Sequence, residues 1–257
     1  MTKILVTGSE GQLGKCIQKI AKDYPEFEFT FYGSKTFDIT NPKQIAEVFS
    51  RTHFEYCINC AAYTNVEQAE KTPIPAFEVN SEAVRLISLA CSEFLTSLVH
   101  ISTDYVFDGE KETPYSTSDK TNPINEYGKS KLAGEKHIQR NLKEHFIIRT
   151  SWLYSEFGKN FYKTIVEKVK TETLLQITDE QTGCPTNANN LAKYILELLR
   201  KNSKAYGIHH FTDGEPMTWY DFTKRILEEN KLQNKVKLER AKNYRTFAKR
   251  PRNSILG

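Results

Sequence analysis

A tyrosine and a lysine stand four positions apart in the stretch Tyr127-Gly128-Lys129-Ser130-Lys131. In a helix, Tyr127 and Lys131 share one face. A phenol beside a fixed ammonium group can act as a proton donor, because the positive charge lowers the pKa of the phenol. The same spacing also occurs on solvated helix faces. The pair therefore predicts acid catalysis only if the rest of the chain builds a reaction site around it.

A glycine-rich turn lies between the first apolar run of the chain and its first amphipathic pattern. Glycines in this position let the backbone approach a pyrophosphate, and the following helix N-terminus offers N–H groups to the phosphates. A glycine-rich turn without a ligand is the alternative interpretation. The placement favours a dinucleotide, with a spacing that is more open than G-x-G-x-x-G. The predicted cofactor-binding residues of the turn are Gly8, Gly11, Gln12, Leu13 and Gly14.

The end of the second predicted strand bears on the choice of cofactor. The run Tyr32-Gly33-Ser34-Lys35 has no carboxylate that could bind the adenosine ribose hydroxyls of NAD. Ser34 and Lys35 suit a 2′-phosphate instead, so the sequence favours NADPH, with NADH as the alternative. Just beyond this run, Asp38 and Ile39 are predicted to contact the adenine.

Strand-like runs alternate with helical patterns through the first 150 residues. Such alternation predicts parallel βαβ units in an open, doubly wound, Rossmann-like sheet, with ligands at the carboxyl ends of the strands. The fold class is therefore α/β. The predicted strands are 3–7, 27–32, 56–59, 98–102 and 146–150, and the predicted helices are 13–24, 42–51, 76–94 and 125–142.

The pattern loosens after Thr150. Helices are predicted near 160–169, 188–200 and 219–230, with short strands near 174–177 and 208–211. No clean linker separates the two halves, so we expect them to interleave. We expect a Rossmann domain over residues 1–151 that also receives parts of 158–205, and a smaller substrate-binding part over 152–257.

Composition and charge limit the class of protein. The 257 residues are 39% hydrophobic and 26% charged, which is ordinary for a globular protein. There is no run of 18 apolar residues and no signal-peptide pattern, so the sequence predicts a cytoplasmic protein that is not in a membrane. The net charge of +4 is too mild to predict nucleic-acid binding. From Lys231 onward, however, nine Lys/Arg face a single acid, Glu239, which fits either a solvated surface or an anionic substrate such as a diphosphate.

Several motifs in a fixed order resemble those of the extended short-chain dehydrogenase/reductase family. The glycine turn is followed by Ser102-Thr103-Asp104-Tyr105-Val106-Phe107 and by the Tyr-x-x-x-Lys pair. The chain is most similar to the branch of the family that reduces 4-keto dTDP-sugars, and the resemblance covers essentially the whole chain. The further motifs that carry it lie at 59–66, 127–135, 149–154, 181–186 and 250–254.

The resemblance implies NADPH-dependent reduction of the C4 ketone of dTDP-4-dehydro-L-rhamnose, a step of cell-surface polysaccharide synthesis. In this family the strand-end hydroxyl, here Thr103, orients the substrate carbonyl. The tyrosine, here Tyr127, donates the proton. The lysine, here Lys131, holds the nicotinamide ribose and lowers the pKa of the phenol. Ketone reduction needs a hydride on carbon and a proton on oxygen, so these roles agree with the chemistry of the residues.

The resemblance also assigns residues around this trio. It places Ala61, Ala62 and Tyr63 at the cofactor. The substrate-binding residues that it implies are Thr64, Val66, Asp104, Tyr105 and Trp152 near the sugar, Gln181 and Pro185 near the nucleotide, and Arg250 at the diphosphate.

Three departures from related enzymes refine the expectation. Nucleotide-sugar dehydratases carry a glutamate where this chain has Tyr105, so the chain lacks the second acid that water elimination needs. Some relatives are magnesium-linked dimers with an acid just after the third glycine. Here Lys15 and Cys16 follow it, so no metal is expected and the protein is expected to be a monomer or a homodimer. The family usually continues beyond the position of Gly257, so the C-terminus is expected to be shortened.

Two alternatives remain open at this point. The first is a non-catalytic, NADP-binding regulatory subunit like the methionine adenosyltransferase β subunit, which has the same fold. The second is a reductase of a related 4-keto-6-deoxy nucleotide sugar, or an epimerase. The sequence does not predict the stereochemistry at C4 of the product, because that depends on which face of the sugar contacts the nicotinamide.

Overall fold

The computed structural model describes residues 1–241 and 245–257. Its centre is a sheet of six parallel strands, which confirms the predicted fold class. The strands of this sheet are β1 (Thr2–Thr7), β2 (Phe27–Tyr32), β3 (Tyr56–Asn59), β4 (Ser97–Thr103), β5 (His145–Thr150) and, late in the chain, β10 (Gly207–His210). Their order in space is β10-β5-β4-β3-β1-β2. The order reverses next to β1, which is where doubly wound sheets bind their ligands.

Among the residues that the structure describes, the remaining strands form three small two-stranded sheets in the second half of the chain. They are β6 (Leu153–Tyr154) with β9 (Thr186–Asn187), β7 (Leu174–Ile177) with β12 (Lys237–Arg240), and β8 (Thr182–Gly183) with β11 (Met217–Thr218). The helices are α1 (Gln12–Ile20), α2 (Pro42–Arg51), α3 (Val66–Lys71), α4 (Pro73–Phe77), α5 (Ala83–Glu93), α6 (Glu126–Asn141), α7 (Phe161–Lys168), α8 (Ala188–Arg200) and α9 (Trp219–Glu229).

Local sequence signals explain most of these boundaries. The side chain of Asn41 accepts hydrogen bonds from two backbone N–H groups of α2, and Pro42 occupies the first helical position. The predicted helix 13–24 is shorter, because α1 ends at Ile20 and a 3₁₀ turn follows. The predicted helix 76–94 is interrupted by a π-helical turn, Glu78–Glu82, before α5 begins. Such turns often mark functional positions.

Apolar side chains cover both faces of the central sheet. The sequences of the inner strands are therefore continuous apolar runs. On one face, α1 and α8 pack over Ile4, Val6 and Ile58. On the other face, α2, α5 and α6 pack over Leu5 and Cys57. This arrangement places the carboxyl ends of β1, β3 and β4 beside the N-terminal turns of α1 and α6.

A separate apolar cluster organises the second half of the chain. It joins α7 and α9 to β7 and β12, and it is rich in aromatic rings such as Phe161, Trp219 and Phe222. In residues 1–241 and 245–257, no helix has both the length and the apolar character needed to cross a membrane.

Candidate active site

The N-terminal turn of α6 holds the Tyr–Lys pair against the end of β4. Asn125 caps this helix by accepting a hydrogen bond from Gly128 N at 2.8 Å. A Cβ atom on Gly128 would lie 2.1 Å from the carbonyl oxygen of Tyr105. The glycine between the two halves of the motif therefore lets the helix approach the segment that follows β4 closely.

This approach brings Thr103 and Tyr127 together, as predicted. The Thr103 hydroxyl hydrogen-bonds the Tyr127 phenol, donates to Asp104 Oδ1 at 2.9 Å and accepts from Tyr105 N at 3.2 Å. The ring of Tyr105 stands edge-on to the ring of Tyr127, with 6.0 Å between the ring centroids. The strand-end hydroxyl and the phenol thus form one hydrogen-bonded pair at the carboxyl edge of the sheet.

Lys131 is not among the groups that shift the pKa of Tyr127 in this structure. Burial raises the pKa of the Tyr127 phenol well above its usual value, and the charge of Asp104 adds to the rise. The ammonium of Lys131 is directed instead towards β4, where Nζ donates to the Ile101 carbonyl at 2.6 Å and lies 3.3 Å from His100 Nε2. Sharing a helix face is therefore not enough to make the lysine lower the pKa of the phenol.

Two further groups at this edge of the sheet have shifted pKa values. Burial lowers the pKa of the Lys131 ammonium to about 8, although the nearby Glu135 carboxylate favours the charged form. Burial raises the pKa of Asp104 to about 6, against the opposing effect of hydrogen bonds that include Thr103. Perturbed, buried groups of this kind are typical of reaction sites.

The glycine turn forms a cradle of the shape that a pyrophosphate requires. Gly8 has φ +63°, and a Cβ atom there would lie 2.5 Å from Ala61 N. A Cβ atom on Gly14 would lie 2.6 Å from the Gly8 carbonyl oxygen, so this glycine lets α1 pack against the turn. Gly11 precedes α1 without a side-chain cap, which leaves the helix N-terminus to an anion. The residues present therefore fit a dinucleotide.

A cavity of about 350 Å³ opens beside this cradle. Glu10 also lines it, which adds a carboxylate that the strand-end argument did not anticipate. The exposed Lys35 does not line it, and Leu13 is buried in the core, where only its backbone can face the turn. Eight of the predicted cofactor residues line the cavity, namely Gly8, Gly11, Ser34, Asp38, Ile39, Ala61, Ala62 and Tyr63.

Gln12 and Asp38 are engaged within the protein. The amide of Gln12 donates to the Leu153 carbonyl at 3.1 Å and accepts from Asn160 Nδ2 at 2.7 Å. It thereby ties the start of α1 to the second half of the chain. Asp38 Oδ1 accepts from the backbone and the hydroxyl of Thr40, which shapes the loop after β2.

A second cavity, of about 230 Å³, lies in the C-terminal half. Gln181 and Arg250 line it, as expected for groups that contact a nucleotide and its diphosphate. Trp219 lines it too, and its indole N–H donates to Gln181 Oε1 at 3.0 Å. Arg250 also hydrogen-bonds Tyr105, whose ring packs edge-on against Tyr127.

Trp152 is held in an unusual conformation next to this cavity. Its φ is +47°, which L residues rarely adopt. Its ring stacks on Trp219 with centroids 3.5 Å apart, and a Cβ atom on Gly183 would lie 2.6 Å from the Trp152 ring. The structure thus explains Gly183 as the residue that makes room for the paired indoles.

The other predicted substrate residues are less closely grouped. Thr64 is exposed, Val66 begins α3, and Pro185 is buried without lining either cavity. Lys242 of the basic C-terminal stretch lies outside the described residues.

Two positioning contacts were missed from the sequence. Asn80, in the π-helical turn, exchanges two hydrogen bonds with the backbone of Tyr63, both at 2.9 Å, and so fixes one wall of the cofactor cavity. Glu67 binds Arg250 at 2.9 Å and accepts from Phe247 N at 3.0 Å. An asparagine within an apolar helical stripe was a visible signal for the first contact. No sequence signal pointed to the second.

The fold, the glycine cradle and the Thr–Tyr–Lys trio define a dinucleotide-dependent carbonyl enzyme of the Rossmann-like class. Within that class, the chain belongs to the family described as RmlD substrate binding domain, which matches residues 1–257. Membership confirms the resemblance found in the sequence.

Individual relatives agree over nearly their full lengths. A dTDP-4-dehydrorhamnose reductase from Aggregatibacter actinomycetemcomitans is 36% identical over 100% of this chain and 90% of its own. The crystal structure of a dTDP-4-dehydrorhamnose reductase from Clostridium acetobutylicum has a TM-score of 0.95 at 35% identity, covering 100% of this chain and 90% of that chain. The Bacillus anthracis enzyme of that name, solved in complex with NADP, has a TM-score of 0.95 at 33% identity, covering 100% and 91%.

Proposed function

We propose that this protein is an NADPH-dependent reductase of the C4 ketone of dTDP-4-dehydro-L-rhamnose, which it converts into dTDP-L-rhamnose. The observation that carries the proposal is the hydrogen-bonded Thr103–Tyr127 pair. The same fold holds one cavity beside a glycine cradle and another lined by Gln181 and Arg250. The names of the relatives, and the NADP in one of their structures, support the substrate and the cofactor.

The chemistry proposed for the trio follows from its geometry. The Tyr127 hydroxyl can donate a hydrogen bond to the carbonyl oxygen and thereby polarise the C4 ketone. The Thr103 hydroxyl can join it only by turning its single proton away from Asp104 Oδ1. NADPH, when bound, supplies the hydride to carbon. The raised pKa of Tyr127 keeps its phenol protonated at neutral pH, so the proton that the new hydroxyl needs is in place. Lys131, whose Nζ donates to the Ile101 carbonyl, is proposed to hold the nicotinamide ribose.

Tyr105 is the residue that favours reduction over elimination. Where a dehydratase has a glutamate, this chain has a buried phenol that packs against Tyr127 and hydrogen-bonds Arg250. Burial raises the pKa of Tyr105 to about 12, so it cannot serve as a base at neutral pH. The site therefore has one proton donor for the carbonyl oxygen, and it lacks a base at the Tyr105 position to remove a proton from carbon.

The division of labour within the chain belongs to the same proposal. Residues 1–151 bind the cofactor together with α8, which shares a core with α1 and the central sheet. The remainder of 152–257 binds the nucleotide sugar around the aromatic cluster of α7 and α9. The amide of Gln12 and the pair Glu67–Arg250 connect the two parts.

The test is NADPH oxidation by the purified chain with enzymatically prepared dTDP-4-dehydro-L-rhamnose, with the product identified by NMR. We expect turnover that depends on the sugar and gives dTDP-L-rhamnose. Tight NADPH binding without turnover would instead identify a regulatory subunit. A product with the opposite configuration at C4 would identify a related reductase.

A further inference from the structure

A chain of buried polar side chains crosses the carboxyl edge of the sheet and ends at Lys131. Thr7 Oγ1 donates to Asn59 Oδ1 at 2.6 Å, and Asn59 Nδ2 lies 3.1 Å from His100 Nδ1. His100 Nε2 lies 3.3 Å from Lys131 Nζ. All four side chains are at most 2% exposed. The chemistry proposed above uses Lys131 but gives His100 no task.

The backbone fixes the direction of every hydrogen bond in this chain. Ala61 N donates to Asn59 Oδ1 at 3.2 Å. A backbone N–H can only donate, so this atom of Asn59 must be the oxygen and the atom facing His100 must be the nitrogen. That nitrogen donates to His100 Nδ1. The proton of the neutral imidazole therefore sits on Nε2, the atom that faces Lys131.

The imidazole of His100 is neutral. Burial lowers its pKa well below the usual range, and the charge of Lys131 lowers it further. The imidazole therefore presents one acceptor to Asn59 and one N–H to Lys131.

An N–H aimed at Lys131 discriminates between the two forms of that amine. An ammonium group has donors only, so it meets the His100 N–H donor to donor. A neutral amine accepts from His100 through its lone pair while it donates to the Ile101 carbonyl at 2.6 Å. We propose that His100 is a positioning residue that favours the neutral amine of Lys131, because Asn59 holds the imidazole in its Nε2–H tautomer. The relevance of this role to catalysis rests on the proposed function, but the experiments that test the role do not.

The other charged groups around Lys131 are accounted for. On its own helix, Glu135 favours the ammonium, but its oxygens bind Arg149 from β5 at 2.7 and 3.0 Å. Tyr127 is a neutral phenol, and after β4, Asp104 contacts Thr103. Thr7 and Asn59, from β1 and β3, are uncharged.

The first experiment observes the tautomer directly. In protein labelled with ¹⁵N-histidine, long-range ¹⁵N–¹H spectra distinguish Nδ1–H from Nε2–H, and the His100→Gln variant assigns the signal. We expect a neutral Nε2–H imidazole from pH 6 to pH 9. An Nδ1–H tautomer or an imidazolium ion near neutral pH would overturn the proposal.

The second experiment measures the pKa of Lys131 by NMR of ¹³Cε-labelled lysine in the protein without cofactor. His100→Asn keeps an acceptor for Asn59 but removes the N–H that faces Lys131, so we expect the pKa of Lys131 to rise by about one unit. His100→Gln retains an amide N–H at that position and is expected to restore a value near that of the unaltered protein. His145, a buried histidine at the opposite end of the neighbouring strand β5, supplies the matched control, and His145→Asn should leave Lys131 unchanged.

These outcomes are separable from those of the proposed function. An unchanged Lys131 pKa in His100→Asn, or an equal rise in His100→Gln, would overturn the role of His100. The reductase assay does not enter either measurement. If the predicted pKa changes occur without reductase turnover, the proposed function fails while the role of His100 stands.

Discussion

The reaction centre and the adenosine end of the cofactor cavity lie on the same sheet edge but are built differently. Thr103 and Lys131 are almost completely buried, and each contacts groups that are remote in sequence. Ser34, Lys35 and Asp38 are exposed, and the contacts of Asp38 are local, with Thr40 of its own loop and with Gln44 at the start of α2. The groups of the Thr–Tyr–Lys trio are thus held by the whole fold, whereas the residues predicted to select the cofactor lie on a local, solvated loop.

The largest effect is expected from Tyr127→Phe. Removing the hydroxyl leaves the ring packed against Tyr105 but removes the proton donor, so kcat should fall by roughly 10²–10⁴-fold. The measurement is steady-state NADPH oxidation with the dTDP-4-keto sugar, with NADPH affinity measured in parallel.

Tyr24→Phe is the matched control, because the Tyr24 phenol hydrogen-bonds Glu197, whose helix packs on the outer face of the sheet. Its rate should stay close to that of the unaltered protein. If Tyr127→Phe kept most of its activity, the proton would have to come from another group, and the reaction centre would lie elsewhere.

The second-largest effect is expected at a buried ion pair that supports the reaction centre. Glu135 and Arg149 form an ion pair at 2.7 Å with side chains 1% and 2% exposed, and Ser102 also donates to Glu135. Glu135→Gln leaves the arginine charge buried without a counter-charge, so the free energy of unfolding should fall by about 3–5 kcal/mol. Urea denaturation measures it.

An exposed ion pair provides the comparison for that experiment. Glu167 and Lys170 are 66% and 62% exposed. Glu167→Gln should change the free energy of unfolding by less than about 1 kcal/mol. Equal losses in the two variants would contradict the claim that burial distinguishes the reaction centre.

The same contrast explains how much could be predicted from the sequence. The alternation of strands and helices, the glycine turn and the cap at Asn41 are local patterns, and they gave the fold and much of the cofactor cavity. The contacts Asn80–Tyr63, His100–Lys131 and Glu67–Arg250 join residues 17, 31 and 183 positions apart. No local pattern encodes such pairs, because they form only when separate elements pack together.

The difference between the expected and the observed direction of the Tyr127 pKa shift has the same origin. Helical spacing correctly put Tyr127 and Lys131 on one helix, but it could not show where the lysine side chain would point. The carbonyl of Ile101 and the imidazole of His100, both on β4, decide that direction. Burial, which is a property of the whole fold, then decides the sign of the pKa shift.

The third prediction uses pH. Because burial raises the pKa of Asp104 to about 6, the folded protein binds this proton more tightly than the unfolded chain does. The stabilisation is complete below about pH 4 and is lost as the pH rises through 6, amounting to as much as 3 kcal/mol at about 1.36 kcal/mol per pKa unit. Asp104→Asn removes the ionisation, so its stability relative to the unaltered protein should rise between pH 4 and 7. Urea denaturation at several pH values measures this, and a difference that does not vary with pH would contradict it.

The smallest effect is expected at the exposed end of the cofactor cavity. Lys35 suits a 2′-phosphate by type and position, but its side chain is solvated and does not line the cavity. An exposed charge pair contributes at most about 1 kcal/mol. Lys35→Ala should therefore lower the ratio of NADPH to NADH affinity by less than about tenfold, since a factor of ten corresponds to about 1.4 kcal/mol. Fluorescence titration of both cofactors measures the ratio, and Lys22→Ala, which removes an exposed lysine after α1, is the control. If the ratio did not change at all, the selectivity would have to come from Ser34 and the backbone around it. A loss of a hundredfold or more would mean that this loop closes over the cofactor as tightly as β4 and α6 enclose the reaction centre, and the contrast between the two regions would then disappear.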